Sequence, residues 1–263
     1  MLNYKYIFNF NNLQEFIISP LIEMIIAIPT YSRVKVIQKK TLNFLENQDI
    51  PKEFIKIFVA NKEEKEAYEI EIKGYEIIIG VIGLANQLNF IYSYYNKDDF
   101  IFRIDDDVAD IVYLDKSSIN LKSFLIQAEK TMRKEKINYG GFYPIYNKMF
   151  MENSKPIETK LKHIVGACNF FINSDFRHIV EGGELHKEDY EKTLYHYKRD
   201  AKVLRYNHFG IKTTYYLKTG GLASSRTYEN EKRGAEILRS LYPEWVSLFI
   251  RKGRTQIKLK EKK

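Results

Sequence analysis

Cysteine occurs once in 263 residues, at Cys168, so neither a disulfide framework nor a cysteine-rich zinc site is available. A single free thiol suits a reducing cytoplasm, the expected location (a host cytoplasm if the chain is phage-encoded). No apolar run reaches the roughly 18 residues of a bilayer-spanning helix, which argues against a membrane partner. The opening, MLNYKYIFNF, has one lysine and no small-residue cleavage site, so a secretory leader is not expected. No His-Glu-x-x-His run occurs, and Cys168 has no obvious partner, so zinc hydrolysis and thiol chemistry rank low. The first apolar run is followed by Pro29-Thr30-Tyr31-Ser32-Arg33 and not by a glycine-rich loop, which excludes a P-loop and a dinucleotide fingerprint.

Charge of one sign is in excess only at the end of the chain. Of the net +8, residues 251–263 supply +6 through Arg251, Lys252, Arg254, Lys258, Lys260, Lys262 and Lys263 against Glu261, which leaves +2 for residues 1–250. A basic tail of this kind binds polyanions by releasing counterions, and it also reads as a frayed, solubilising terminus.

The hydrophobic share of 44% is that of a folded chain, and its pattern is alternating. Residues 1–20 read as an adapter. Met24–Ile28 reads as a buried strand stopped by Pro29, and Ser32 as the cap of a helix running to about Glu46. Strands follow at Ile55–Ala60, Glu76–Ile79 and Phe100–Ile104, with helices at Glu63–Tyr68 and Leu84–Tyr95 between them. Four strands alternating with helices predict a mainly parallel, twisted α/β sheet with helices on both faces. Beyond it the pattern predicts helices at Leu121–Lys136, Lys187–Asp200 and Tyr228–Leu241. Strands are expected within Ile164–Ile172, at Val203–Asn207 and at Thr213–Leu217. No linker or repeat breaks this up, so a single domain with a C-terminal helical extension is expected.

The chemistry concentrates in Asp105-Asp106-Asp107, directly after the fourth strand. Ligands of open α/β sheets sit beyond the carboxyl ends of strands. In an extended segment Asp105 and Asp107 point to one side and suit Mg²⁺ or Mn²⁺ with open positions for phosphate oxygens, but an acidic turn has the same composition. Thr30, Tyr31 and Arg33 end the first strand, where a ring stacks on a base and an arginine meets a phosphate. Gly83, Asn86 and Asn89 open a helix near the same edge, where amides suit a ribose. Glu188 or Asp189, after the loop Gly182–His186, suits a general base and equally a first-turn helix acid. His208 suits a metal or phosphate contact, or an ordinary hydrogen bond.

Taken in order, IPTYSR, GLANQLNF, FIFRIDDDV and HKEDYEKT resemble a GT-A glycosyltransferase. Together with EDYEKTLYHYKRD, VLRYNHFG and TTYYLKTGGL, they resemble the glycosyltransferases associated with TET/JBP-type oxygenases of phages and eukaryotes. The resemblance covers about residues 22–225 and implies a GT-A-like fold. Its nucleotide-sugar half would span about 22–110 and its acceptor half about 111–225. A helical extension at 226–250 and the basic tail at 251–263 would follow. It implies a nucleotide-sugar donor, most often a UDP-sugar, with Mn²⁺ or Mg²⁺ held by Asp105, Asp107 and His208. Thr30, Tyr31, Arg33, Asn86, Arg103, Asp105 and Asp106 would form the donor pocket. Asp189, or Glu188 one residue away, would be the base. The acceptor it implies is a 5-hydroxymethylated pyrimidine in DNA, such as hydroxymethylcytosine, approached by the basic tail and by Lys198, Arg199, Lys202 and Arg205. The alternatives are a transferase acting on a glycan, lipid or protein, a sugar-nucleotide pyrophosphorylase (which usually has the glycine-rich loop missing here), and a nucleic-acid-binding protein on a degenerate transferase fold.

Overall fold

The structure, a computed structural model, describes residues 24–179, 187–213 and 227–261. The adapter expected at 1–20, the loop Gly182–His186, residues 214–217 of an expected strand and the last two lysines lie outside the described residues.

Among the described residues one nine-stranded sheet organises the fold. Its first four strands are β1 (Ile25–Pro29), β2 (Ile55–Val59), β3 (Glu76–Ile79) and β4 (Phe100–Ile104), and they lie parallel in the order β3-β2-β1-β4. Every residue of β4 is buried, as an apolar run covered on both faces should be. The parallel strands need crossovers, supplied by α3 (Lys62–Glu71), α4 (Leu84–Tyr94) and the helical stretch after β1. That stretch is α1 (Val34–Ile37), a π-turn (Gln38–Leu42) and α2 (Asn43–Asn47).

Ser32 is not the cap expected of it. It adopts φ 53°, and its N–H and hydroxyl both donate to the Glu64 carboxylate at 2.9 Å, leaving Arg33 in the cap position without a side-chain cap bond.

The second half returns to the same sheet with reversed strands. The remaining strands are β5 (Val108–Tyr113), β6 (Tyr139–Tyr143), β7 (Ile157–Glu158), β8 (Cys168–Ile172) and β9 (Leu204–Thr213). β8 lies antiparallel between β4 and β6, and β9 pairs with β6 and β5. The sheet is therefore parallel from β3 to β4 and mixed beyond. The helices are α5 (Leu121–Glu135), α6 (Lys148–Glu152) and α7 (Glu188–Asp200). Two apolar clusters cover the two faces, one around Ile26, Ile28, Phe102 and Phe170, the other around Ala27, Phe58, Ile101 and Phe171. Alternate residues of β1, β4 and β8 thus face opposite sides.

The strand expected at Val203–Asn207 is longer than its apolar signal: β9 runs from Leu204 to Thr213 without a break, through the polar residues Asn207 and His208. β6 carries no strand-like sequence, because Gly140 and Gly141 occupy its centre. They are there for space: a Cβ on Gly140 would stand 2.4 Å from the Phe170 ring and 2.9 Å from the Leu204 carbonyl oxygen.

Residues 251–261 are not a loose tail. After α8 (Tyr228–Leu241), β10 (Val246–Arg251) and β11 (Arg254–Leu259) form an antiparallel hairpin. Val246 and Ile257 join Leu238, Ala235, Leu194 and Leu161 in a third apolar cluster. Arg251, Lys252, Arg254, Lys258 and Lys260 remain exposed on the hairpin. Among the described residues, no helix is long and apolar enough to cross a membrane.

Gly140→Ala is expected to destabilise the protein by about 1–3 kcal/mol, because the added methyl meets backbone as well as a ring. Urea unfolding should show a lower midpoint with an unchanged m-value.

Candidate active site

The carboxyl ends of β1 and β4 bring the N-terminal candidates together. A relay of hydrogen bonds runs through them. The Arg33 amide donates to the Tyr68 hydroxyl (3.0 Å), which donates to Thr30 Oγ1 (2.7 Å), which donates to Asp106 Oδ2 (2.6 Å). Arg33 Nη1 donates to Asp106 Oδ1 at 3.2 Å and lies 3.7 Å from Asp107 Oδ2. Burial pushes the Asp106 carboxyl upward, against the Thr30 bond and Arg33. Burial also pushes the Tyr68 hydroxyl up to about 12, so it stays protonated and able to donate. Tyr68 was hidden from sequence reasoning because it looks like one aromatic on a charged helix.

Asp105 takes a second arginine. It is ion-paired with Arg103, whose side chain is only 4% exposed. Burial, with Asp107 and Asp106 beside it, raises the Asp105 carboxyl to about 7 even with Arg103 in contact. Asp107 accepts a 2.7 Å bond from Thr213 Oγ1. Thr41, in the π-turn, clamps the backbone of this acidic loop by accepting from the Val108 amide (3.1 Å) and donating to the Asp105 carbonyl (2.7 Å). A π-turn at such a place is a frequent mark of a functional site.

The acids of α7 reach the same region through β8. The Asp105 amide donates to the Ala167 carbonyl at 2.8 Å, which ties the acidic loop to the segment entering β8. At Gly166 a Cβ would meet Asp189 Cβ at 3.5 Å, Glu188 Oε1 at 3.6 Å and Arg103 Nη1 at 3.7 Å. Arg103, Glu188 and Asp189 therefore converge on one glycine. Asp189 Oδ2 is 2.8 Å from His163 Nε2, and Oδ1 accepts from the Tyr190 amide. Burial raises the Asp189 carboxyl, but His163 and the amide outweigh it and hold it at about 2. His163 was not singled out in the sequence, because its partner lies 26 residues away.

Other candidates sit apart from this cluster. His208 lies in the middle of β9, beside Tyr113, with Nε2 3.1 Å from the Ser154 carbonyl. It is Thr213, five residues on, that stands opposite Val108. At about 3.3 Å per residue His208 is roughly 16 Å down the strand, too far to share an ion with Asp105 and Asp107. Asn86, in the first turn of α4, donates to the Ile82 carbonyl just before that helix, and Asn89 is occupied by the backbone of His178. Tyr31 is 44% exposed at the end of β1, a ring open to stacking. The proposed basic run is not one open face. Arg199 is paired with Asp200 and Lys202 with Glu135, while Arg205 bonds Asn207 and lies over Tyr143.

Among the described residues no three acidic, histidine or cysteine side chains form a metal cage. The donor set at Asp105 and Asp107 is two hard carboxylates, which suits an ion that takes its other ligands from phosphate or water. Burial, with Asp107 and Asp106 adding to it, raises the Asp105 carboxyl to about 7, and a cation beside it would draw it back down. On these grounds the residues fit a divalent ion.

A carboxyl held below its ordinary value contributes stability that is present above about pH 4 and lost as pH falls through about 2. The wild type should lose about 2 kcal/mol more than Asp189→Asn across that window, as read by urea unfolding at stepped pH.

No family model matches the chain, and no curated protein does either. Solved structures do. The 1–349 segment of S. aureus TarS in complex with UDP-GlcNAc is 17% identical, with 82% of this chain and 66% of that chain covered and a TM-score of 0.56. The same segment with UDP is 16% identical, with 82% and 66% covered and a TM-score of 0.50. Without ligand it is 16% identical, with 82% and 65% covered and a TM-score of 0.51. The chain thus spans about two thirds of the TarS segment's length, and its fold is GT-A-like, a mixed sheet flanked by helices in a single domain.

Proposed function

We propose that the protein is a metal-dependent glycosyltransferase that moves a sugar from a nucleotide-sugar, a UDP-sugar in the first instance, to a hydroxyl acceptor. One observation carries this reading. On a GT-A-like sheet, Asp105-Asp106-Asp107 at the end of β4 and the acids opening α7 are joined through Arg103 and Gly166 into one cluster. The UDP and UDP-GlcNAc complexes of the TarS segment support the choice of donor.

In this reading the exposed Tyr31 ring stacks on the base and Arg33 meets the diphosphate, with Thr30 and Tyr68 fixing Asp106 beside the ribose or sugar. Asp105 and Asp107 would hold Mn²⁺ or Mg²⁺, which when bound offsets the charge that develops on the leaving diphosphate. Arg103 keeps Asp105 oriented. The acceptor hydroxyl approaches the α7 side, where Asp189 and Glu188 supply the basic face.

The acceptor proposed is a 5-hydroxymethylated pyrimidine in DNA. Its support is the sequence resemblance and the five exposed cations of the C-terminal hairpin, none of which has an ion-pair partner among the described residues. A base inside a duplex would be flipped out for transfer, at a cost of a few kcal/mol.

Thermal melting with Mn²⁺ and UDP, GDP, CDP or ADP tests the donor. UDP at about one hundred times its Kd should add about 2.7 kcal/mol, and Asp107→Ala should lose that gain. No shift with any nucleotide would overturn the assignment. DNA binding should weaken steeply with salt, and the joint substitution of Arg251, Lys252 and Arg254 by Glu should abolish it without unfolding the hairpin. Deleting residues 251–263 is the poorer test, because it removes β11 from the third apolar cluster.

A further inference from the structure

We propose that His163, held in place by Asp189, is the group that takes the acceptor's proton. This rests on the glycosyltransferase reading and changes the base within it.

Both oxygens of Asp189 are engaged, Oδ2 with His163 Nε2 at 2.8 Å and Oδ1 with the Tyr190 amide at 2.8 Å. Held at about 2, this carboxylate is a weak proton acceptor, whereas an efficient general base sits near the working pH. A neutral imidazole can donate from one ring nitrogen and take a proton on the other, which the doubly engaged carboxylate cannot match.

The geometry around His163 is that of an oriented imidazole. Its ring lies flat on Tyr190, with centroids 4.0 Å apart and planes 12° from parallel. Its backbone is docked on α7 and β9. The Ile164 amide donates to Thr193 Oγ1, Thr193 Oγ1 donates to the Asp189 carbonyl, and Arg205 Nη1 donates to the His163 carbonyl. With Nε2–H donating to Asp189, the neutral ring presents a bare lone pair on Nδ1. That atom has no hydrogen-bond partner among the described residues and is not sealed from solvent, the side chain being 22% exposed. Three residues on, Gly166 is the point where Glu188, Asp189 and Arg103 gather. Acid, imidazole and an open nitrogen, the last to meet a hydroxyl, are the parts of a base–orienter pair.

The step balances. The acceptor O–H bond breaks and its proton passes to Nδ1. The oxygen's electron pair forms the new bond to the anomeric carbon, and the bond to the diphosphate breaks with its pair leaving on UDP. The imidazolium faces Asp189, whose charge offsets it, and then returns the proton to solvent. Among the described residues this ring faces Asp189 and Tyr190 of α7, with Arg205 of β9 on its backbone carbonyl and Lys162 beside it in the chain; Lys187, just before α7, and Glu188 lie next to Asp189.

The test uses the full chain, Mn²⁺ and UDP-GlcNAc or UDP-glucose, reading UDP release to water across pH together with UDP binding and the ¹⁵N spectrum of the His163 ring. His163→Gln should lower kcat by about 10²-fold or more, leave UDP affinity unchanged and remove the acidic limb of the wild-type pH profile. The ring should show the Nε2–H tautomer in the wild type and a mixture in Asp189→Asn, whether or not either sugar nucleotide turns over. An Nδ1–H tautomer in the wild type overturns the proposal. So does a His163→Gln enzyme that keeps kcat and the acidic limb while UDP still binds, or one in which only Glu188→Gln removes turnover. If UDP fails to bind the wild type, the donor reading itself falls, and this proposal with it.

Discussion

Five carboxylates share one end of a sheet, and the rest of the structure is arranged so that they can. Two unit charges 4 Å apart interact by about 4 kcal/mol at an effective dielectric near 20, so Asp105, Asp106, Asp107, Glu188 and Asp189 demand compensation. Arg33, Arg103 and the hydrogen bonds from Thr30, Thr213 and His163 supply it within the chain. Arg103 carries the heaviest part. It is a buried cation inside a strand that is otherwise wholly apolar, its Nε has no hydrogen-bond partner among the described residues, and it faces acids from both halves of the molecule. Arg103 is the buried member of its pair and Asp105 the partly exposed one, so losing Arg103 would leave Asp105 and the α7 acids without that cation.

The topology makes that compensation possible. Parallel strands deliver loops to one edge, and the antiparallel return of β8 beside β4 places the segment 163–167 directly over the acidic loop, pinned by the Asp105 amide on Ala167. From there α7 needs only its first turn to bring in two acids. The buried pair of His178 and Glu191 and the enclosed Lys192, set among Phe171, Tyr92 and Tyr139, keep the underside of that helix fixed.

The β1-to-β4 half was legible because its signals are local: apolar runs of strand length, helical spacing and abrupt ends at Pro29 and Asp105. The helix at Tyr228–Leu241 was legible for the same reason. What escaped depends on distant partners. β6 has two glycines where a strand should have branched residues, and they make sense only opposite Phe170. The hairpin at the C-terminus looked like a tail because its outward residues are basic and its inward ones, Thr255 and Ile257, are few. Ending the strand at Asn207 made His208 look like the residue just past its end. In β9 it is an interior residue, and Thr213 stands beside the acidic loop instead. Tyr68 and His163 do their work through hydrogen bonds to residues 38 and 26 positions away, which no spacing reveals.

The π-turn at Gln38–Leu42 makes chain length itself a functional variable. Each residue turns an α-helix by about 100°, so a single deletion there would let α1 and α2 fuse into a regular helix while swinging Arg33 a quarter-turn or more away from Asp106. It would also take Thr41 from the backbone it clamps. The more regular helix is thus incompatible with the charge balance at the sheet's edge. Insertions and deletions that the exposed tip of the C-terminal hairpin would absorb are ones this turn cannot.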